Sequence, residues 1–340
     1  MAAHPTIATI AEHLGLSRAT VTHVLNGSAT QHRIRPETQK RVLDAATALG
    51  YRANASARAI RAGRFGNIAL IQSLWGQYLP PELLFGLTST LADKDLHLVL
   101  SQVDDLALED EEFLPHTLRN LSVDGMLLNR HLGFSPAYLE HIQRLRIPAI
   151  SLNVKQDYDA IHPDDLGGGR IATEFLLELG HQHILYVDTE EPANRHYSKL
   201  DRRAGYEEAM RGAGQAPRIY LLSRKSEERI ASAMALLRGG NRPTAILAYE
   251  IAEAMAIIHA AHQLGLRIPS DLSLILFHNR IDDRYFLPMH TMSNAMEQVG
   301  RGAVQLLLEK LENPQVSLPT CAVPAVLLDG MTCMPPSKKG

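Results

Sequence analysis

Cysteine is nearly absent: Cys321 and Cys333 are the only two in 340 residues, both close to the end. That count excludes a disulfide framework and fits a reducing compartment. No run of 18 apolar residues occurs, so no membrane-spanning helix is expected. The first residues lack an apolar stretch followed by a small-residue cleavage site, so the expected location is the cytoplasm. Aromatic residues make up only 5%, with a single tryptophan, Trp75. Also missing are a nucleophile–base pair and paired carboxylates in a catalytic setting. No catalytic residue, metal or cofactor is therefore assigned. His181-x-His183, after Gly180, reads as the end of a helix, because no Cys or further His stands at ligand spacing. Gly167-Gly168-Gly169 opens a helix but lacks the spaced glycines of a dinucleotide fingerprint.

What is present is ordinary for a globular protein: 45% hydrophobic and 21% charged residues, in a chain long enough for two or three domains. The net charge of -3 hides an asymmetry. Residues 1–64 carry nine Lys/Arg against three acids, a net of +6, so the remainder stands at -9. A basic head on an acidic body suits a head that approaches phosphate. A solvated face is the competing reading of such a charge run.

The basic head carries the strongest local pattern. Ile7, Ile10, Ala11 and Leu14 recur at the spacing of one helix face, and Gly15 supplies a tight turn. Ser17 opens a second helix as its N-cap, with Val21, Val24 and Leu25 facing inward. This is the helix-turn-helix arrangement that places its second helix in a DNA major groove. A third helix starts at Arg35-Pro36-Glu37-Thr38, turns Val42, Ala45, Ala46 and Leu49 inward, and ends at Gly50. The Ala-rich stretch Ala55–Ala62 is too short for a stable isolated helix and is expected to order on DNA.

From Asn67 onward, apolar strand-like runs alternate with amphipathic helices. The runs are Ile68–Ile71, Leu96–Leu100, Val123–Leu128, Ala149–Leu152, Ile184–Val187, Ile219–Leu222, Ala245–Ala248 and Leu272–Phe277. Near-continuous apolar strands between helices imply parallel sheets covered on both faces. Two sets of about four strands predict two similar lobes with a cleft between them, and ligands bind at the carboxyl ends of such strands.

The segments LSRATVTHVLNGS and RPETQKRVLDAATALGYRANASARAIRAGR resemble the helix-turn-helix and hinge of the lactose-repressor/galactose-repressor (LacI/GalR) family. VDGMLLN, DDLGGGRIATEFLLELGHQHILYV, DRRAGYEEAM, RPTAILA and AAHQLGLRIPSDLSLILF follow in family order, so the resemblance covers nearly the whole chain. It implies a small all-α helix-turn-helix head plus an α/β periplasmic-binding-protein-like core of two doubly wound parallel-sheet lobes. The head spans 1–53, a hinge helix and linker 54–65, and the core 66–340. Lobe 1 is expected at about 66–162 plus 291–317, and lobe 2 at about 163–290 plus 318–340. It implies a repressor that binds a pseudo-palindromic operator as a homodimer, with affinity for double-stranded DNA controlled by a small-molecule effector, in the first instance a sugar or sugar derivative. A solute-binding protein built on the same core is the alternative, disfavoured by the head. An α/β enzyme is a third reading.

The site residues divide accordingly. Ser17, Arg18, Ala19, Thr22 and His23 occupy exposed positions of the recognition helix. Arg18 can donate two bonds to guanine O6 and N7, and Ala19 can meet a thymine methyl. A phosphate clamp is the competing role for Arg18. His23 stands where the family usually has Arg. Thr6, Asn26, Arg35, Thr38 and Tyr51 are read as phosphate anchors. By resemblance Asn54 starts the minor-groove helix, Ala57 permits close approach, and Ile60 replaces the family's Leu wedge. Arg202 matches the family's ligand-contacting Arg, with a surface salt bridge as its alternative. Asn129 and Asn153 end first-lobe strands, and Asn294 stands where the family often has Gln. Glu250-Ile251 replaces the family's Asn-Asp, and His278 stands where sugar-binding members have an acid. Trp75 either stacks on a sugar ring or packs against its lobe.

Overall fold

The computed structural model of the chain describes residues 5–51, 64–74, 79–104, 107, 123–130, 133–190, 196–240, 242–278 and 288–337. It forms two compact units, Met1–Phe65 and Gly66–Gly340. Asn54, Ala57, Ile60 and Trp75, with the Ala55–Ala62 stretch, lie outside the described residues.

The head holds three helices, α1 (Ile7–Leu14), α2 (Arg18–Leu25) and α3 (Pro36–Ala48). Each start has a local cause. Thr6 and Thr9 exchange reciprocal bonds, each hydroxyl accepting the other's backbone N–H at 3.2 Å. Ser17 Oγ accepts the N–H of Thr20 at 3.1 Å. Pro36 opens α3 with its φ already helical. Gly15, at φ +64, makes the turn between α1 and α2 that a side chain would strain. Ile10, Val21 and Val42, one from each helix, are fully buried and centre the head's core.

The core unit contains two six-stranded sheets. β1 (Asn67–Ser73), β2 (His97–Val103), β3 (Gly125–Asn129), β4 (Ala149–Leu152), β5 (Ala160–Asp164) and β11 (Cys321–Pro324) pair in the order β11-β5-β4-β3-β1-β2. β6 (Ile184–Thr189), β7 (Ile219–Leu222), β8 (Ala245–Ala248), β9 (Ser273–Phe277), β10 (His290–Ser293) and β12 (Val326–Leu328) pair as β12-β10-β9-β8-β6-β7. Every pairing is parallel except β10 with β12. Seven helices accompany them among the described residues: α4 (Pro81–Ala92), α5 (Pro136–Arg144), α6 (Asp165–Glu178), α7 (Tyr197–Gly212), α8 (Ser226–Arg238), α9 (Ile251–Gln263) and α10 (Met296–Glu312). Ile68 to Ile71 are wholly buried, because helices cover both faces of their sheet. The two lobes are thus doubly wound.

Each of the eight apolar runs meets a strand, although those from Leu96, Val123 and Leu272 begin one or two residues before it, and each sheet has six strands rather than four. β5 (AIHPD) and β10 (HTMS) escape an apolar search because polar residues interrupt them, and His162, His290 and Thr291 are all buried. β11 and β12 are short, partly exposed edge strands, where Pro324 is tolerated. These strands correct the lobe limits. β5 carries lobe 1 to Asp164. β10 pairs with β9, so 291–293 belong to lobe 2. β11 pairs with β5, so 318–324 belong to lobe 1 rather than lobe 2.

Two glycines explain how α6 and α7 approach closely. A Cβ on Gly169 would run into the carbonyl oxygen of Arg202, and one on Gly205 into that of Leu166. Gly169 of the triple-glycine run therefore serves helix packing, and by docking α7 on α6 it fixes where Arg202 starts. His181, 2% exposed, bonds Thr244 Oγ1, Ser273 Oγ and the Met334 carbonyl at 2.9, 3.1 and 3.0 Å, tying the C-terminal segment to lobe 2. The helix end expected there is completed by Gly180, at φ +95. Among the described residues no helix is long and apolar enough to cross a membrane, and no cluster of side chains can hold a metal ion.

Candidate DNA interface and effector cleft

On the head, Thr6, Ser17, Arg18, Ala19, Asn26 and Arg35 are exposed, while Thr22, His23, Thr38 and Tyr51 are half-buried. Several of these groups already have intramolecular duties. The hydroxyls of Thr6 and Ser17 cap their helices, and that of Thr22 donates to the Arg18 carbonyl at 2.8 Å. Tyr51 packs on the head core. His23 is held on both sides: Nδ1 lies 3.2 Å from Ser28 Oγ, and its ring stacks on His32 with centroids 3.4 Å apart. Arg18 and Ala19 occupy the first turn of α2 and carry no such constraint on their outer face. A capped helix with an exposed Arg and a small residue in its first turn is shaped to enter a groove and donate to base edges.

In the core, the carboxyl ends of the parallel strands hold the polar groups. Arg202, from α7, is only 4% exposed. Its Nε donates to Asp165 Oδ1 at 2.6 Å, Nη1 to the Tyr249 carbonyl at 2.9 Å, and Nη2 to Asn294 Oδ1 at 3.2 Å. Its guanidinium also lies 4.4 Å from the Phe277 ring centroid and 4.8 Å from that of Tyr249. The surface salt bridge alternative for Arg202 is therefore overturned. Burial works against its charge, but Asp165, Tyr249 and Glu250 hold its pKa above the ordinary arginine value. Three of its five N–H donors are engaged, leaving two for a further acceptor.

The other expected cleft residues assemble around this group. Asn294 is joined to Arg202 directly. Asn153, at φ +55 beyond β4, accepts His196 Nε2 at its carbonyl (2.9 Å) and the Tyr197 hydroxyl at Oδ1 (3.4 Å). The start of α7 in lobe 2 thereby touches lobe 1, as does the Lys155–Asp201 ion pair at 2.6 Å. Glu250 precedes α9, and His278 follows β9. Burial lowers the pKa of His278, while the carboxylates of Glu250 and of Glu82, on α4 of lobe 1, pull it back up. Asn129 ends β3, half-buried.

The sequence reading missed Glu82, Asp165, Asp188, Tyr197, Lys199, Tyr249 and Glu253. Lys199 pairs with Asp188 at 2.6 Å and lies 4.7 Å from the Tyr249 ring centroid. Glu253 is 3% exposed, and its carboxyl is pushed up to about 7, first by burial and then by Asp188 and Glu250. The one legible signal was position: Asp165, Asp188, Tyr249 and Glu253 all fall within a few residues of a strand's carboxyl end. A separate groove of about 750 Å³, lined by Phe134, Leu139, Tyr158 and Leu200 among others, shares only Tyr197 with this group.

Comparison with known proteins agrees with both halves. Residues 6–54 match the model for bacterial regulatory proteins of the lacI family, and 173–333 that for a periplasmic binding protein-like domain. The chain is 27% identical to the catabolite control protein A of Priestia megaterium, covering 92% of this chain and 94% of that one. It is 27% identical to the transcriptional repressor PurR of Klebsiella pneumoniae, covering 91% of each. The fold superposes on a lac repressor dimer bound to operator and the anti-inducer ONPF with a TM-score of 0.78, at 22% identity over 97% of this chain and 99% of that one. A transcriptional regulator CelR–cellobiose complex gives 0.64 at 22% identity, over 96% and 99%. With its helix-turn-helix head, its two-lobed core and relatives that are regulators along their full length, the chain is a member of the LacI/GalR family of DNA-binding transcription regulators.

Proposed function

We propose that this protein is a sequence-specific repressor whose operator affinity is set by a small molecule taken between the two core lobes. The observation that carries the reading is the buried Arg202 group. It gathers Asp165, Tyr249 and Asn294 at the strand ends and keeps two donors uncommitted. The relatives' names supply the rest of the analogy: one solved neighbour holds operator and an anti-inducer, another cellobiose, and another ribose. A sugar or sugar derivative is accordingly the effector proposed here. Two heads on a homodimer read the half-sites of a pseudo-palindromic operator in the cytoplasm.

In this reading Arg18 and Ala19 contact bases, with Ser17, Thr22 and His23 beside them. Thr6, Asn26, Arg35, Thr38 and Tyr51 anchor phosphates. Asn54, Ala57 and Ile60 enter the minor groove. Arg202, Asn294, Asn153, Asn129, Glu250, His278 and Trp75 surround the effector. Effector and operator affinities are then linked reciprocally. Gel-shift titration of the full chain on DNA flanking its own gene tests the proposal. Specific binding that weakens steeply with salt is expected. Indifference between that DNA and random sequence at low salt would sink it.

A further inference from the structure

Two imidazoles stack in the head, His23 from α2 and His32 from the loop that follows it. His23 stands four residues after Ala19, one turn further along the same face of α2. Its ring is held at an edge and at a face. Nδ1 meets Ser28 Oγ at 3.2 Å, and the His32 ring lies 3.4 Å away between centroids, with the two planes 27° apart. Nε2 is left without a hydrogen-bond partner among the described residues.

The loop between α2 and α3 is built to present that stack. Ala29 is buried and Ile34 packs on the same core, so the loop is anchored on both sides of His32. Between these anchors the backbone closes on itself. The N–H groups of His32, Arg33 and Ile34 donate to the carbonyls of Ser28, Thr30 and Ala29 at 3.2, 3.1 and 3.0 Å. Arg33 takes a left-handed backbone, φ +52, which a residue with a Cβ adopts only at a cost. His32 itself is exposed, and neither of its ring nitrogens has a hydrogen-bond partner among the described residues. The surroundings suit DNA: no acid stands between Glu12 and Glu37, while Arg18, Arg33 and Arg35 do.

We infer that His32 is a positioning residue for base recognition: its stack holds the His23 ring in one orientation, so that Nε2 meets a base edge in the major groove. This rests on the reading above that α2 enters that groove. An arginine at position 23 would read guanine with two donors of a rigid fork. An imidazole there offers a single nitrogen, so discrimination between bases depends on how the ring is turned. A ring free to rotate must be ordered on binding, whereas one fixed by Ser28 and His32 is already in place. The stack uses only the face of His32. A direct contact of His32 with DNA would use its nitrogens, and the two roles are therefore separable by substitution.

Selection from a randomised operator library by the full chain, with bound DNA read by sequencing, tests this. His23→Ala is expected to flatten preference at one base pair in each half-site, which marks the pair that His23 reads. His32→Ala is expected to flatten preference at that same pair by about fivefold or more, with other positions kept within about twofold. Combining the two is expected to change nothing further there, since both remove one contact. His32→Phe keeps the ring face without the nitrogens and is expected to preserve the wild-type preference. Unchanged preference in His32→Ala or in His23→Ala overturns the inference. So does a loss in His32→Ala spread evenly over every position, the mark of a loop that only supports the head. A His32→Phe variant that behaves like His32→Ala also overturns it, because the nitrogens and not the stack would then matter. Each of these results leaves the groove reading of α2 standing. A wild-type chain that selects no sequence at all overturns that reading, and the inference with it.

Discussion

Glu253→Gln isolates the acidic field of the cleft from its shape. The carboxyl is 3% exposed, and Oε2 accepts the Glu250 N–H at 3.1 Å, a bond the Gln carbonyl can keep. In the fold it titrates at about 7, against 4.5 for the unperturbed group. Because the folded value is raised, the unfolded chain releases this proton first as pH rises. Below pH 4.5 both states hold the proton and the group costs nothing. Between 4.5 and 7 the cost grows, and above 7 it is complete, at roughly 3 kcal/mol as an upper figure. Gln carries no such cost. Urea unfolding of both proteins, followed by circular dichroism, should show the variant gaining on the wild type. The margin should be roughly 1 kcal/mol at pH 5 and roughly 3 kcal/mol at pH 8.5. A margin that stays constant across this range would refute the reasoning, because loss of a merely structural contact does not follow pH.

Other outcomes follow from single contacts. Arg202→Met leaves Asp165 buried and unpaired and should cost about 3–5 kcal/mol in core stability, much of it restored when Asp165→Leu is added. If the second change restores nothing, the ion pair is not the cause. Gly205→Ala should lower the core's melting temperature by several degrees, since its Cβ meets the Leu166 backbone; an unchanged midpoint would contradict the close α6–α7 contact. Arg18→Ala should cost about 1–3 kcal/mol and relax preference at one base pair per half-site. Equal loss on every DNA sequence would assign Arg18 to phosphate.

The head was almost fully legible in the sequence, because its determinants are local. Apolar spacing placed Ile10, Val21 and Val42 inside, Ser17 announced a cap, and Gly15 a turn. The central strands of the core were legible for a related reason, being buried on both faces and thus uniformly apolar. What escaped was non-local. β11 becomes a strand of lobe 1 only because β5 lies beside it, more than 150 residues away in the chain. His162 and Thr291 look like loop residues until the fold buries them. Arg202 was identified by resemblance, but Asp165 and Asn294, its partners from 37 and 92 residues away, were not joined to it by any spacing rule.

Selection of bound DNA from a randomised library by the purified full chain tests the central claim most directly. The account predicts enrichment of a two-fold symmetric sequence, read identically in both halves, with binding that weakens as salt rises. A selected pool with no shared sequence, or an asymmetric one, would contradict it.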